Sequence, residues 1–213
     1  LFKAHEALAE SNASKEQLSM FYSWIGLAFS RRDMPADGYL YLLKAVQIAE
    51  EVRDIKSAGY NYAWLAQVCA DLGLLDEAVN YGEKARDAAN RFESDPYLFR
   101  VALLYSSYAH YFRGDVKKIA EYGQALLDYG RKHSDLRCIT CHYIALGESC
   151  IAAGDILPAI EFLKKCIQVS PDPVMSLSAK MLLGNCYLST GRLKDAQSTL
   201  KEVNEHSEKF GFE

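Results

Sequence analysis

The segment Tyr143-Ile144-Ala145-Leu146-Gly147-Glu148-Ser149-Cys150-Ile151-Ala152-Ala153-Gly154-Asp155 decides the fold of this chain. It is an apolar run with helical spacing that ends at Gly154, and a glycine just after a helix is the usual way for a helix to stop. A second apolar helical run follows and ends before Pro171. Its apolar positions are Ala159, Leu163 and Cys166. The segment therefore predicts two helices joined by a tight turn.

The same pattern recurs in a fixed register along the chain. The turn residues are Asp33, Gly73, Gly114, Gly154 and Gly191, with spacings of 40, 41, 40 and 37 residues. Seven residues before each turn lies a small residue: Gly26, Ala66, Ser107, Gly147 and Gly184. Five residues after each turn lie Gly38, Ala78, Ile119, Ala159 and Ala196. Small residues let paired helices approach closely, so the register predicts a repeat architecture.

The repeat boundaries carry helix-start signals. Ser14-x-x-Gln17 is a capping box, and Asp95-Pro96 places an N-cap before a proline at the first helical position. Pro171-Asp172-Pro173 marks the last boundary in the same way. We predict an all-α chain of a single repeat domain over 1–213, with no strand. Its predicted units are a leading helix over 1–12 and helix pairs at about 15–53, 55–93, 96–132, 136–170 and 173–210.

These repeats resemble the tetratricopeptide repeat family over about residues 15–210. The residues that match its pattern are Leu183-Gly184, Tyr187, Ala196 and Leu200, and Tyr143, Leu146-Gly147, Ala159, Leu163 and Pro171. The resemblance implies an α-α superhelix of about five helix pairs plus a leading helix. The family's usual period is about 34 residues, whereas this one is near 40. The long period is similar to the repeats in arms of bacterial multidomain signalling regulators, where the arm follows an NTPase or cyclase module.

The third unit departs from the family pattern. Ser106-Ser107 replaces the Leu-Gly pair, and His110 stands where an aromatic residue is usual. The packing in this unit is therefore less well defined by the resemblance than in the last two.

Composition excludes several classes of function. The net charge of −4 and the pI near 5.8 argue against nucleic-acid binding, which needs a clustered basic surface. No apolar stretch approaches the roughly 18–20 residues that span a bilayer, so we expect no membrane partner. The six cysteines follow no disulfide framework, which favours a cytoplasmic protein. The chain starts at Leu1, and we interpret it as a segment of a longer protein.

The resemblance also implies a site, because the first helix of each pair lines the concave surface in the family. The groove-facing positions that we select are Met20, Tyr60, Gln67, Leu104, Tyr108, Tyr111, Ile144, Glu148, Met181 and Asn185. This lining is aromatic and aliphatic and lacks the Lys/Asn carboxylate clamp of chaperone-binding members. It suits the apolar face of an amphipathic helix or a neighbouring domain. An alternative stays open: the longer repeats wind tightly and these side chains contact the next pair.

Cys138-Ile139-Thr140-Cys141-His142 is the one local motif that could carry chemistry. It matches the attachment signature of c-type haem, yet it falls inside the first helix of a repeat, so we interpret its cysteines as packed or groove-lining residues. Arg113-Gly114-Asp115 spells an adhesion tripeptide, but its glycine is the repeat turn. We interpret Gly82 and Gly123 as positions of close helix approach, with a ligand notch as the minority alternative.

We find no catalytic order of Ser, His and Asp and no phosphate loop. We therefore predict no enzyme, no cofactor and no metal. The first hypothesis is a protein-interaction scaffold in a bacterial signalling or regulatory protein. The alternative is a ligand- or peptide-sensing arm of a multidomain transcriptional regulator, NTPase or cyclase, and a third possibility is an enzyme or haem protein. Homodimerisation through the terminal helices is also plausible, through Phe2, Leu8, Val203 and Phe210.

Overall fold

A computed structural model describes residues 13–92 and 94–210 of the chain, with side chains up to residue 206. Within that part the secondary structure is ten α-helices and no strand, which confirms the all-α prediction. The helices are α1 (Lys15–Ser30), α2 (Pro35–Glu51), α3 (Ile55–Asp71), α4 (Leu75–Arg91), α5 (Pro96–Arg113), α6 (Val116–His133), α7 (Leu136–Ala153), α8 (Ile156–Val169), α9 (Pro173–Ser189) and α10 (Leu193–Phe210). The predicted leading helix over 1–12 lies outside the described residues, as do Phe2 and Leu8.

The first helix of every pair begins at a capping side chain in the same register. These N-caps are Ser14, Asp54, Asp95, Asp135 and Asp172, each 19 residues before its turn residue. Each side chain accepts a hydrogen bond from a backbone N–H of the first helical turn, which satisfies a donor that has no partner inside the helix. The predicted capping box of Ser14 and Gln17 and the predicted cap at Asp172 are confirmed.

The turn inside each pair is a single left-handed residue. The glycines have φ values of 75° at Gly73, 70° at Gly114, 83° at Gly154 and 72° at Gly191, and Asp33 takes the same role with φ of 58°. Glycine has no Cβ to clash in this conformation, so it ends the first helix and redirects the chain into the second. The predicted turn positions are therefore confirmed.

The chain forms two compact units, Leu1–Ala109 and His110–Glu213. In the first unit the helices pack in succession, α1 on α2, α2 on α3 and α3 on α4. Its core holds fully buried Leu42 and Leu65 in one cluster and Ala63, Ala85 and Leu98 in another. The core lies on the apolar sides of these helices, while the first helices keep part of their surface exposed.

In the second unit α7, α8, α9 and α10 pack one on the next. One buried cluster in the core of this unit draws on all four of these helices. Its members are Ile144, Ala159, Ile160, Leu163, Cys166, Ala179, Leu183, Cys186, Tyr187 and Ala196.

Three helix pairs close around a glycine that faces a leucine. A Cβ added to Gly26 would lie 2.7 Å from Leu42 Cγ, one added to Gly147 would lie 2.8 Å from Leu163 Cδ2, and one added to Gly184 would lie 2.6 Å from Leu200 Cδ2. Real Cβ atoms essentially never come this close to another heavy atom, so a larger residue here would force the opposing leucine to move. This is the physical basis of the small-residue register.

Gly82 and Gly123 serve the same purpose between one helix pair and the next. A Cβ on Gly82 would lie 2.8 Å from Ser106 Oγ and 3.2 Å from Ser106 Cα, and one on Gly123 would lie 3.2 Å from Ala145 Cβ. The prediction of close helix approach at these glycines is confirmed.

We predict that Gly38→Ala destabilises the first unit. A Cβ at this position would lie 2.8 Å from the carbonyl oxygen of Gly26 and would also clash with Ser30 Oγ, and a backbone atom cannot rotate away. Overpacking of this kind costs about 1–3 kcal/mol, which corresponds to a Tm lower by about 2–12 °C for a chain of this size. Thermal denaturation followed by circular dichroism measures the change.

The matched control is Leu40→Ala, which changes an exposed residue two positions along the same helix. Its free energy of unfolding is expected to change by about 0.5 kcal/mol or less. Equal melting temperatures for Gly38→Ala and the unchanged chain would contradict the prediction.

Candidate partner-binding surface

The ten residues selected from the sequence all lie on the first helices of the pairs, but the structure places them at different depths. Exposed residues are Met20 and Met181, with 59% and 54% of their surface accessible, and Asn185. Half-buried residues are Tyr60, Gln67, Tyr108 and Tyr111. Buried residues are Leu104, Ile144 and Glu148. The selected positions therefore do not form one continuous exposed lining.

Ile144 shows why some of these positions are buried. It lies in the core cluster of the second unit with Ala159 of α8 and with Ala179 and Leu183 of α9. The side chain is therefore covered by the following helices of its own unit. For this residue the structure matches the alternative in which the long repeats pack tightly.

In the first unit the first helices present an aromatic surface, which we define as Met20, Trp24, Tyr60, Trp64 and Tyr97. The ring of Tyr60 stacks on Trp64 with centroids 6.0 Å apart and tilts against Tyr97 at 5.6 Å. Trp24 is 60% exposed and Tyr97 is 45% exposed. Large aromatic groups that stay partly exposed are a common feature of binding surfaces.

Helices α1 and α3 are joined beneath the aromatic surface by a buried polar contact. Ser23 Oγ donates to the side-chain oxygen of Asn61 at 2.6 Å, and both residues are almost fully buried. Because a buried polar group needs a partner, this contact holds the two helices in one register. The contact therefore fixes the register between the helix that carries Met20 and Trp24 and the helix that carries Tyr60 and Trp64.

Tyr60 is oriented by an ionic clamp at the start of α5. Its hydroxyl donates to Asp95 Oδ2 at 2.6 Å, and Lys56 Nζ lies 2.7 Å from the same oxygen. Burial opposes ionisation of Asp95, but the bonds from Lys56, Tyr60 and the backbone N–H of Leu98 outweigh it and lower its pKa to about 2. Burial and the neighbouring carboxylate raise the pKa of Tyr60, so its phenol stays a donor.

Tyr108 is anchored in a similar way toward the other end of the first helices. Its hydroxyl donates to Asp71 Oδ1 at 2.8 Å, which links α5 to α3. The ring is half-buried beside the core cluster of Cys69, Ala70, Ala78 and Ala109. The hydrogen bond fixes one end of the side chain, and part of the ring stays accessible.

In the second unit Tyr111 and Glu148 influence each other electrostatically. Burial is the main cause that raises the pKa of the Tyr111 phenol, and the nearby Glu148 and Cys186 raise it further. Glu148 is only 4% exposed. Tyr111 and Glu148 are therefore polar side chains enclosed by the packed helices. Met181 and Leu188 of α9, by contrast, remain accessible.

The sequence analysis missed a repeated contact between tyrosine and lysine. Tyr22 stacks near Tyr41 with centroids 6.1 Å apart, and Lys44 Nζ lies 5.6 Å and 5.8 Å from the two rings. Forty residues later Tyr62, Tyr81 and Lys84 repeat this arrangement, with rings 6.1 Å apart and ammonium distances of 5.3 Å and 5.6 Å. Cation–π contacts at exposed sites contribute about 0.5–1 kcal/mol each. Both tyrosines and the lysine recur 40 residues apart, so the repeat spacing in the sequence could have indicated this contact.

The side chains of the Cys138-x-x-Cys141-His142 motif go to separate contacts. Cys138 and Cys141 are fully buried, and Cys138 Sγ lies 3.5 Å from Asp135 Oδ2, whereas Cys141 Sγ lies 3.9 Å from Met175 Sδ. His142 Nδ1 lies 2.8 Å from the carbonyl oxygen of Gly123. Among the described residues no group of three or more His, Cys, Asp or Glu side chains is placed to hold a metal ion.

Arg113-Gly114-Asp115 is the connection between α5 and α6. Gly114 is the left-handed turn residue, and Asp115 accepts a hydrogen bond from the backbone N–H of Lys118 as the N-cap of α6. Its residues therefore have a structural explanation as a repeat turn.

Comparison with known proteins agrees with this architecture. A tetratricopeptide repeat family model matches residues 151–209. A Rap protein complexed with Competence and Sporulation Factor superimposes with a TM-score of 0.75 at 16% identity, over 93% of this chain and 56% of that protein. The chain has the tetratricopeptide-repeat fold. The family resemblance and the α-α solenoid of about five helix pairs that the sequence predicted are confirmed.

Two further solved structures share this tetratricopeptide-repeat fold. The Q17M form of the Podosopora anserina kinesin light chain nearly identical TPR-like repeats has a TM-score of 0.61 at 17% identity, over 95% of this chain and all of that one. MamA 41-end from Desulfovibrio magneticus RS-1 has a TM-score of 0.50 at 16% identity, over 92% of this chain and 96% of that one. The chain spans about half the length of the Rap protein that it matches. No match exists among curated protein sequences.

We predict that His142 makes the second unit less stable in acid. Burial lowers the pKa of its imidazole, and Arg131 adds to this effect, while the bond to Gly123 and the charge of Asp128 oppose it. A lowered pKa in the folded state means that the unfolded chain binds the proton more readily. The contribution of the neutral ring is therefore full above the ordinary pKa near 6.5 and is lost as the pH falls below it.

Urea denaturation at pH 7.5 and pH 5.0 measures this effect, with His142→Gln as the comparison because glutamine keeps a donor and does not titrate. The urea midpoint of the His142→Gln chain is expected to fall less between pH 7.5 and pH 5.0 than the midpoint of the unchanged chain. An identical loss in both chains would show that His142 is not responsible.

Proposed function

We propose that this chain is a scaffold that binds a protein segment or a neighbouring domain on the exposed side of its first helices. The main observation that supports the proposal is the aromatic surface of the first unit. Tyr60 contacts Trp64 and Tyr97 there, and the half-buried ring of Tyr108 extends the proposed surface toward the other end of α5. Hydrogen bonds to acidic residues hold Tyr60 and Tyr108 in place. Rigid aromatic groups bind partners at a low entropic cost.

The fold supports a binding function over a catalytic one. Stacked helix pairs provide extended surfaces for partners, and the related structures are repeat proteins of the same architecture. The Rap protein is complexed with Competence and Sporulation Factor, which supports a bacterial signalling or regulatory setting for the present chain. We propose that it acts in the cytoplasm without catalysing a reaction. Of the helices that the structure describes, none combines the length and the apolar character needed to cross a bilayer.

A second candidate function is that of a sensing arm, which would bind a small ligand or peptide and relay the event to an attached effector. The complexed Rap protein favours this candidate. A ligand that binds only the folded chain raises its Tm, so a thermal-shift screen with metabolites and peptides identifies a sensor. A rise that depends on one ligand class and that survives Tyr108→Glu would favour this function over the scaffold.

Self-association is a further part of the proposal. Val203 of α10 is half-buried, so part of an apolar side chain at this end of the second unit stays accessible. We propose that the terminal helices meet a second copy. Analytical ultracentrifugation that shows a monomer at high concentration would overturn this part of the proposal.

We predict that Tyr108→Glu weakens the binding of those array peptides that the unchanged chain captures. The added carboxylate faces Asp71 and repels it, and it replaces an apolar ring at the binding surface. Truncating a central aromatic contact commonly costs 2 kcal/mol or more in binding, so we expect affinities weaker by about thirtyfold or more.

Tyr108→Phe is the first control, since it keeps the ring and removes the hydroxyl that donates to Asp71. It is expected to retain most of the binding. Leu40→Glu is the second control, because it adds the same charge at an exposed position on a second helix of a pair. Capture that is unchanged in Tyr108→Glu would overturn the proposed surface.

A further inference from the structure

The connection between α6 and α7 carries exposed positive charge. We define it as the basic connection, which consists of Arg131, Lys132, His133, Leu136 and Arg137. All five side chains are exposed. Leu136, with 54% of its surface accessible, lies in the chain between the two groups of basic residues. The basic connection therefore combines several hydrogen-bond donors with a large apolar side chain, in a chain whose net charge is −4.

The cations of the basic connection are not neutralised by ion pairs. Arg131, Lys132 and Arg137 form no ion pair within the part of the chain that the structure describes. Lys180 of the same unit shows the contrast, because its ammonium lies 2.8 Å from Glu202 Oε2. Exposed charges of this kind are suited to a partner that carries the opposite charge.

The two carboxylates near the basic connection leave its net charge positive. Asp135 is the N-cap of α7, and its Oδ1 accepts hydrogen bonds from the backbone N–H groups of Arg137 at 2.8 Å and Cys138 at 3.3 Å. Asp128 Oδ1 accepts a hydrogen bond from Gln124 Nε2 at 2.8 Å. These two carboxylates therefore offset only part of the charge of one lysine and two arginines.

The connection between α2 and α3 has the same backbone conformation as the basic connection. Arg53 and Ser134 are both left-handed, with φ of 59° and 54°, and each precedes an aspartate N-cap. Those aspartates, Asp54 and Asp135, both accept hydrogen bonds from backbone N–H groups of the helix that follows. Equivalent residues of the two connections lie 81 positions apart, so their side chains can be compared one by one.

The charges at the equivalent positions are opposite. Glu50 and Glu51 stand where the basic connection has Arg131 and Lys132. Positive charges are generally favoured at the C-terminal end of a helix, yet α2 ends with these two glutamates. The same tight connection therefore forms with either charge, and the fold alone does not account for the basic residues.

Arg137 also differs from its equivalent in the first unit. That equivalent is Lys56, whose ammonium lies 2.7 Å from Oδ2 of Asp95, the N-cap of the next first helix. The N-cap of the first helix that follows Arg137 is Asp172. Among the described residues Arg137 forms no ion pair with it. The register thus offers Arg137 an internal partner that this residue does not use.

From these observations we propose that the basic connection binds an acidic segment of a partner protein, in which carboxylates lie on both sides of one large apolar side chain. Arg131, Lys132 and Arg137 bind the carboxylates, and Leu136 contacts the apolar side chain. Opposite charges on two surfaces orient the partners and speed their association. Arginine adds geometric selectivity, because its guanidinium binds a carboxylate through two parallel hydrogen bonds.

An acidic protein segment fits the basic connection better than a nucleic acid does. Nucleic-acid binding needs basic residues clustered over a large surface, whereas the pI of this chain is near 5.8. A short segment with few carboxylates matches a small group of cations around one leucine. The inference goes beyond the proposed scaffold surface, because it adds a second docking site, in the second unit, for a partner of different chemistry.

The test uses the full chain and a fluorescein-labelled peptide in which glutamates flank one leucine. Fluorescence anisotropy is expected to show saturable binding of this peptide and no binding of a peptide with lysine in place of glutamate. Raising the ionic strength from about 0.1 M to about 1 M shortens the Debye length from about 10 Å to about 3 Å, so binding is expected to weaken. A peptide with serine in place of leucine is expected to bind more weakly as well.

The decisive variant combines Arg131→Glu with Lys132→Glu. It copies Glu50 and Glu51 of the equivalent connection, so it is compatible with the backbone there. Peptide binding is expected to weaken about tenfold or more, because two attractive contacts are lost and two repulsive ones replace them. The melting curve of this variant is expected to match that of the unchanged chain.

The matched control combines Lys164→Glu with Lys165→Glu. It makes the same change in net charge at two exposed lysines of α8 in the same unit. Because these lysines are not part of the basic connection, peptide binding is expected to stay nearly unchanged. The comparison separates a local effect at the basic connection from an effect of the net charge of the chain.

Absence of peptide binding, or equal binding by the two double variants, would overturn the inference. A labelled oligonucleotide that binds through Arg131 and Lys132 where the acidic peptide does not bind would overturn it too, since the site would then serve a nucleic acid. Equal binding of the leucine and serine peptides would overturn the role of Leu136. Tyr108→Glu is expected to leave binding of the acidic peptide unchanged, so a failure of the aromatic surface and a failure of this inference are observed separately.

Discussion

The distance between the two helices of a pair is the constraint on which the rest of this structure depends. At Gly26, Gly147 and Gly184 the opposing leucine lies where a Cβ would be, with hypothetical contacts of 2.6–2.8 Å. A close-packed interior does not open to admit a methyl group without strain. The small-residue register is therefore a consequence of helix packing, and it sets where every neighbouring side chain lies.

Close approach also decides which residues can meet a partner. Where one first helix is followed by another, the side that faces the next first helix is covered. Ile144 and Cys141 are covered in this way in the second unit. In the first unit the aromatic side chains lie beside this contact and remain partly exposed. Tyr60 and Tyr108 are held by carboxylates on neighbouring first helices. The same stacking thus produces both the core and the accessible surface.

Much of the fold could be read from the sequence, because helix ends, turns and close contacts use residue types with few substitutes. The capping box at Ser14, the cap at Asp172 and the left-handed glycines are local features of this kind. The surface was harder to predict. Tyr60, Leu104 and Ile144 occupy positions selected by one family rule, yet the first is half-buried and the other two are buried. Trp24, Trp64 and Tyr97 were not selected at all.

The sequence by itself determined the all-α class, the number of helix pairs and the register of the turns, because these depend on interactions within about twenty residues of chain. The tertiary structure decided which faces of the first helices are covered. Burial depends on how one repeat stacks on the next, and residues some forty positions apart set that stacking, as Ser23 with Asn61 and Cys141 with Met175 show. Burial of Ile144 follows from that packing and not from its own residue type.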